Sequence, residues 1–405
     1  VVERALTPAR SREALPIAVR IGLVYLGARV VTTLFLLAAA ELSGVGSRFG
    51  EAASIATLVL GWDAQWYWFL AENGYPAELP LTDAGDVAEN QWAFMPVYAY
   101  LAKAAGWVLG SWGAGAAVLS LVAGYLSCLV LHRIVRMRAA DDVALWAVAF
   151  FACAPLAALF QVGYAESLFV LWLLLSLWCV MRRRYAWLYL LIPLMGFTRP
   201  GVLAFSLFLA LFGIWRWFSR RREPLPAREI VHIVALGLLA AAVGFSWQLI
   251  AGLVTGDLGA YLATELAWRR NWLGATTAVF IPVEGFVQGA AFWFTSWGLG
   301  PVAGYITLAA SVVGVAALLL FEPHVKRMGV ELRLWSASYV IYLLAVFFPQ
   351  SSIFRLLVPL SPMWGAAAMP RSPWWQAGVL VACLVGQWWW IYNMYALGNT
   401  YWQIP

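Results

Sequence analysis

One stretch of the chain groups acidic, aromatic and small residues at a spacing suited to chemistry: Gly61-Trp62-Asp63-Ala64-Gln65-Trp66-Tyr67-Trp68-Phe69-Leu70-Ala71-Glu72-Asn73-Gly74-Tyr75-Pro76. Asp63 lies in a collar of aromatic rings, where desolvation disfavours the charged carboxylate unless something hydrogen-bonds it. A carboxyl in such a setting can serve as a general base. The same rings also have the composition of an interfacial belt, so a plain membrane-surface helix is the competing reading. Glu72 is a surface carboxylate by default and otherwise a second group lining a site. Further on, Glu166 opens an apolar run, where it can complement a helix N-terminus, bind an acceptor or orient an arginine.

Two arginines beside apolar segments, Arg199 and Arg355, carry planar guanidinium forks that match phosphate oxygens. An arginine at membrane depth is costly, so it is either functional or paired, here with Glu166 or Asp63. Arg269 and Arg270 are rival phosphate ligands whose plain role is a solvated loop or lipid-headgroup contact. His132 and His324 fall on the expected cytoplasmic side and His232 near the start of a span, which disfavours a histidine metal site on the outer face. Metal independence is the expectation, although Asp63 with Glu72 or Glu166 supplies oxygen ligands of the kind a divalent ion takes. The four cysteines all lie in apolar stretches and read as small buried hydrophobes.

The elements that must position these residues are membrane helices. Of 405 residues, 63% are hydrophobic and 11% charged, against about a quarter charged in a soluble domain. That excludes an ordinary globular enzyme, a disordered chain and a disulfide scaffold. About 30 Å of hydrocarbon needs roughly 20 apolar residues per helix. Such segments lie near 17–41, 113–132, 143–161, 166–181, 185–198, 200–218, 230–252, 300–321, 334–348, 355–370 and 374–395, several of them broken by proline. The fold class expected is therefore all-α, a polytopic bundle of about 11 transmembrane helices forming one domain over 1–405.

Two segments exceed a simple turn, 42–112 and 253–299, and long connections of this kind are usually functional. The first is expected to hold juxtamembrane helices on the outer face. Within it, 93–110 reads as an interfacial helix with Lys103 snorkelling to the headgroups. The N-terminal segment carries Arg4, Arg10, Arg12 and Arg20 without a signal-peptide cleavage site and is taken as cytoplasmic and retained. Nineteen of the 26 basic residues then fall inside, against eight of the 20 acidic ones. The split is about +11 inside and −5 outside, the bias expected of a chain with its N-terminus in the cytoplasm. The net charge of +6 is thus a matter of topology, and no nucleic-acid partner is implied.

Three elements together resemble a known family: Trp62-Asp63; Ala71-Glu72-Asn73-Gly74-Tyr75 followed by Ala93-Phe94-Met95-Pro96; and Gly163-Tyr164-Ala165-Glu166-Ser167-Leu168-Phe169. They look like the GPI mannosyltransferase family whose eukaryotic member is PIG-V, a branch of the GT-C glycosyltransferases. Ala64 stands where that pattern has glycine. The matches cover the first half of the chain, the second half only by hydropathy and position. An arginine-rich chain with two lysines suggests a high-GC bacterial genome of the actinobacterial type.

The resemblance implies a polyprenyl-phosphate-mannose donor, transfer on the non-cytoplasmic face of the cell membrane with inversion, and a glycolipid or lipoglycan acceptor. It makes Asp63 the base; Trp62, Glu72, Tyr75, Tyr164 and Glu166 are the candidates for acceptor or sugar binding. The bare sequence agrees in lacking a glycine-rich phosphate loop, as a lipid-linked donor requires no nucleotide site and no further cofactor. A transferase for arabinose or glucose, or a polyprenyl-linked sugar flippase, is the alternative; a flippase is expected to show repeats and discontinuous helices.

Overall fold

The computed structural model describes residues 15–51, 53–273 and 281–398. Arg4, Arg10 and Arg12 of the expected cytoplasmic segment, and residues 274–280 of the second outer segment, lie outside the described residues. Among the described residues the regular structure is helical throughout, apart from an isolated antiparallel bridge between Leu81 and Val87. Five helices are long and apolar enough to cross a membrane: Ile17–Glu41, Trp112–Arg136, Val202–Ser219, Ala227–Thr255 and Gly300–Phe321. Helix Ile17–Glu41 turns Leu23, Leu26, Val30, Leu34 and Leu37 outward, and Gly300–Phe321 buries only 6% of its most apolar window. Apolar stripes of this extent are stable only against lipid or another apolar surface. The protein is an all-α polytopic membrane protein.

The remaining apolar segments keep their expected positions but differ in length from simple spans. Helix Asp141–Ala152 stops three residues before Pro155, which has no N–H to continue it. The segment 355–370 is divided into Ile353–Leu356, a 3-10 turn Val358–Met363 containing Pro359 and Pro362, and Trp364–Ala367. Helix Glu166–Met181, at 16 residues, is about 24 Å long and buried nearly all round, as a central helix of a bundle should be.

Such breaks leave backbone carbonyls without partners at membrane depth, where each must be satisfied. Arg29, 4% exposed within helix Ile17–Glu41, does this for the turn after Asp141–Ala152. Its guanidinium donates to the carbonyls of Ala152 and Ala157 and to Gln161 Oε1 at 3.2 Å, and lies 5.3 Å from the Phe160 ring centre. A cation at a helix C-terminus is also favoured by the dipole.

Helix Pro96–Leu109 occupies the segment expected to lie along the interface. It packs on Trp112–Arg136 through Tyr98, Ala99, Ala102 and Gly106. The backbones approach so closely that a Cβ on Gly115 would strike the carbonyl of Ala102. Lys103 does not reach for headgroups; its Nζ donates to the Ala71 carbonyl at 2.7 Å and to Glu72 Oε2 at 3.2 Å. A local carbonyl and a carboxylate one helix away satisfy the ammonium better than an extended, entropically costly chain. The second outer segment is also ordered into helices, Ala260–Leu273 and Glu284–Ser296.

Candidate functional site

Asp63 is the first residue of helix Asp63–Asn73. The preceding Trp62 holds φ at 56°, a left-handed conformation that a bulky side chain rarely adopts. Its ring fixes that turn: the indole N–H donates to the Met394 carbonyl at 2.8 Å, and the Arg48 guanidinium lies 4.6 Å from the ring centre. Strain of this kind costs about 1–3 kcal/mol and persists only where the surroundings hold it. Here its effect is to start a helix at Asp63 and leave the carboxylate 20% exposed.

The turn Gly163-Tyr164-Ala165, which leads into helix Glu166–Met181, is laid directly on the Asp63 turn. The Gly163 N–H donates to the Val59 carbonyl at 3.1 Å. A Cβ at Gly163 would stand 2.9 Å from the Ala64 Cβ, so the methyl of Ala64 occupies space left by the glycine. Ala64 is therefore accommodated across the contact. Tyr164 and Glu166 are buried, at 0% and 2% exposure.

Two arginines close the arrangement. Arg355, in the short helix Ile353–Leu356, is 7% exposed and pairs through Nη1 with both Asp63 Oδ2 and Glu166 Oε1, the latter at 3.3 Å. Its guanidinium also lies 5.4 Å from the centre of the Tyr164 ring. Arg199 sits in the break between helices Leu188–Gly196 and Val202–Ser219, where Gly201 takes φ of 140°, and its Nη1 is 3.3 Å from the same Glu166 oxygen. Asp63, Arg355, Glu166 and Arg199 thus form a continuous row of alternating charge. The Nε of Arg355 is buried and has no hydrogen-bond partner among the described residues.

Other residues expected at the site lie elsewhere or serve other contacts. Glu72 is nine residues along the same helix, about 13 Å from Asp63 in rise, and pairs with Lys103. Tyr75 stacks on Trp92 at 4.5 Å and donates its hydroxyl to the Phe94 carbonyl at 2.8 Å. Arg269 faces Glu284 at 3.9 Å, and Arg270 donates to the Val87 carbonyl, tying the second outer segment to the first. Among the described residues no three His, Cys, Asp or Glu side chains group together as a metal site would.

Glu265 and Arg48 were not singled out by their sequence context. Glu265, on helix Ala260–Leu273, is hydrogen-bonded to Tyr261 and within electrostatic reach of Arg199. Burial pushes its carboxyl up to about 7, although the Tyr261 hydrogen bond and Arg199 act to lower it. In sequence it stands four residues before Arg269 and reads as half of a helix-surface ion pair. Folding instead turns Arg269 to Glu284. Arg48 carried no motif, and only the folded turn brings it to Trp62.

A cavity of about 440 Å³ is lined by apolar side chains including Pro155, Phe160, Phe354, Leu357, Val358 and Trp364. Phe354 immediately precedes Arg355 in the chain, and none of Asp63, Tyr164, Glu166, Arg199 and Arg355 lines the cavity.

The class defined by these features is a polytopic all-α membrane protein with a buried carboxylate–guanidinium row and an apolar cavity. No known protein-family model matches the chain. No curated protein matches it either. Among solved structures it is similar to the archaeal oligosaccharyltransferase AglB from Archaeoglobus fulgidus in complex with an inhibitory peptide and a dolichol-phosphate, at 13% identity over 93% of this chain and 56% of that one, with a TM-score of 0.42. It is similar also to the Archaeoglobus fulgidus oligosaccharyltransferase in complex with Zn and sulfate, at 15% identity over 93% and 53%, with a TM-score of 0.44. The chain spans about half the length of these proteins. A likeness at this level assigns no residue and no reaction to the chain.

Proposed function

We propose that the protein is a membrane glycosyltransferase that moves mannose from polyprenyl-phosphate-mannose to a glycolipid or lipoglycan acceptor on the non-cytoplasmic face, with inversion. The observation that carries this reading is the partly exposed Asp63 carboxylate, held at a strained helix start and bound to an arginine that a second carboxylate anchors. The resemblance of the Trp62-Asp63 and Tyr164-Ala165-Glu166 elements to the PIG-V family supports the same assignment, including the choice of mannose and of a bacterial cell membrane.

In this mechanism the donor phosphate competes for Arg355, whose Nε and terminal nitrogens form a fork for two oxygens. Engaging the phosphate draws the guanidinium away from Asp63, while Glu166 keeps it in place, and Arg199 in turn holds Glu166. The acceptor hydroxyl oxygen attacks the anomeric carbon and its proton passes to the freed Asp63 carboxylate. The bond from the anomeric carbon to the phosphate oxygen breaks, and its electron pair leaves with the polyprenyl phosphate. The arginines stabilise the charge on that leaving group, so no general acid is required. The apolar cavity beside Phe354 suits the isoprenoid chain of a donor that arrives from the bilayer.

The test is sugar transfer from synthetic polyprenyl-phosphate-mannose to a panel of mannolipid acceptors. The parent protein forms a new glycosidic bond, and Asp63→Asn, with unchanged folding, loses about 10²–10⁴-fold in rate, the usual contribution of a positioned base. Transfer undiminished by the substitution removes the base assignment. Movement of the lipid-sugar across vesicles without bond formation replaces the enzyme with a flippase.

A further inference from the structure

A second cavity, of about 390 Å³, lies at the opposite end of the molecule and is lined by Arg183, Arg184, Tyr185, Arg228, Glu229 and His232. It lies just beyond the C-terminus of helix Glu166–Met181, whose N-terminus bears Glu166, so about 24 Å of helix separates the two sites.

The floor of this cavity is electrically balanced. Glu229 Oε1 accepts from Arg216 Nε at 3.0 Å and from the Tyr185 hydroxyl at 2.9 Å. Glu229 Oε2 accepts from Arg183 Nη1 at 2.9 Å and Arg216 Nη2 at 3.3 Å. Glu223 Oε2 accepts from Arg183 Nη2 at 2.8 Å and Arg216 Nη1 at 2.9 Å. Two guanidinium groups and two carboxylates neutralise one another, which explains how Arg216 is tolerated at 1% exposure. They also hold Arg183 at φ of 55°, the left-handed position that ends the preceding helix.

The walls are not balanced. Arg184 packs over the Trp178 ring at 5.2 Å, Arg228 stands in the first turn of helix Ala227–Thr255, and neither pairs with a carboxylate among the described residues. That helix is 29 residues long, and no side chain caps its first N–H groups, so its positive dipole end adds to the cavity. His232 stacks on Tyr185 at 5.9 Å and contacts the Tyr189 hydroxyl through Nδ1 at 3.2 Å. Exposed Trp187, Trp217 and Phe218 stand near this end in sequence, the residue types of a headgroup-level aromatic belt.

We propose that this cavity binds a phosphate group through Arg184 and Arg228, carried either by an anionic membrane lipid or by soluble phosphate. The surplus is two forked cations, an imidazole and an uncapped helix start, with both carboxylates already consumed. That combination recognises a phosphate and has no neutral ligand chemistry to match. The proposal stands apart from the transfer reaction, because no group of the Asp63 row takes part.

The experiment uses delipidated protein in neutral detergent, titrated with short-chain phosphatidic acid, short-chain phosphatidylcholine or inorganic phosphate while thermal unfolding is followed. Phosphatidic acid raises the melting temperature and phosphatidylcholine does not. A shift with inorganic phosphate of equal size assigns the soluble source, and a shift confined to phosphatidic acid assigns the lipid. The double variant Arg184→Ala with Arg228→Ala binds roughly 30-fold more weakly, at about fivefold per arginine. The matched variant Arg221→Ala with Arg222→Ala removes the same charge outside the cavity and binds as the parent does. Melting temperatures without ligand check that both variants fold. No shift with either anion, or equal loss in both variants, overturns the proposal.

Discussion

At the scale of single residues, the proposed reaction gives Arg355 two duties that lysine cannot combine. Its Nη1 pairs with both Asp63 and Glu166, while Nε stays without a partner and available to a phosphate oxygen. Arg355→Lys keeps the charge but reduces the fork to a point. The expected result is a 10–100-fold fall in kcat/KM, seen mainly as a higher KM for the donor, at the order of one lost charge-assisted hydrogen bond. An unchanged donor KM would mean that Arg355 only holds Asp63. Glu265 supplies a different residue-scale test. Its folded-state carboxyl is raised by burial from 4.5 to about 7, so between these values the folded protein holds a proton that the unfolded chain has lost. Stability therefore falls as pH rises through that window, and Glu265→Gln flattens the fall. Thermal unfolding of the two proteins between pH 4.5 and 7.5 measures it.

At the scale of elements, the site is built where two turns from distant parts of the chain are stacked. Gly163 permits this: a Cβ there would meet the Ala64 methyl at 2.9 Å and the Val59 carbonyl and Trp112 ring at 3.2 Å. Gly163→Ala should lower stability by about 1–3 kcal/mol, the usual effect of overpacking. Adding Ala64→Gly removes the nearest clash and restores part of the loss, so the two substitutions couple. Melting temperatures of the parent, both singles and the double test this; strict additivity would separate the two turns. The individual turns were legible in the sequence because Asp63, Glu166, Arg199 and Arg355 are rare charges in apolar surroundings. Their partners were less so. Glu72 and Tyr75 belong to the same local pattern as Asp63, yet helix geometry carries Glu72 to Lys103, and aromatic packing draws Tyr75 to Trp92. Hydropathy likewise located the helices but could not tell a full span from a broken one. The outcome at Pro155 depends on Arg29, more than a hundred residues earlier, satisfying the freed carbonyls.

At the scale of the whole molecule, the two ends of helix Glu166–Met181 differ in a way that hydropathy alone does not express. One end holds the Asp63 row, in which each arginine is matched by a carboxylate; the other holds a cavity lined by Arg183, Arg184 and Arg228, with surplus positive charge. By the positive-inside bias the second end is expected in the cytoplasm, where Arg-rich connections are retained. The proposed reaction requires the Asp63 row to face the other way, outward. Single cysteines at Asp83 and Arg222, in a background with the four native cysteines replaced, read this arrangement directly. A membrane-impermeant thiol reagent added to intact cells labels Asp83→Cys at once, and Arg222→Cys only after the membrane is opened. The reverse pattern would put Asp63 in the cytoplasm and end the proposed reaction on the outer face, while leaving the phosphate cavity on the outside to be tested on its own terms.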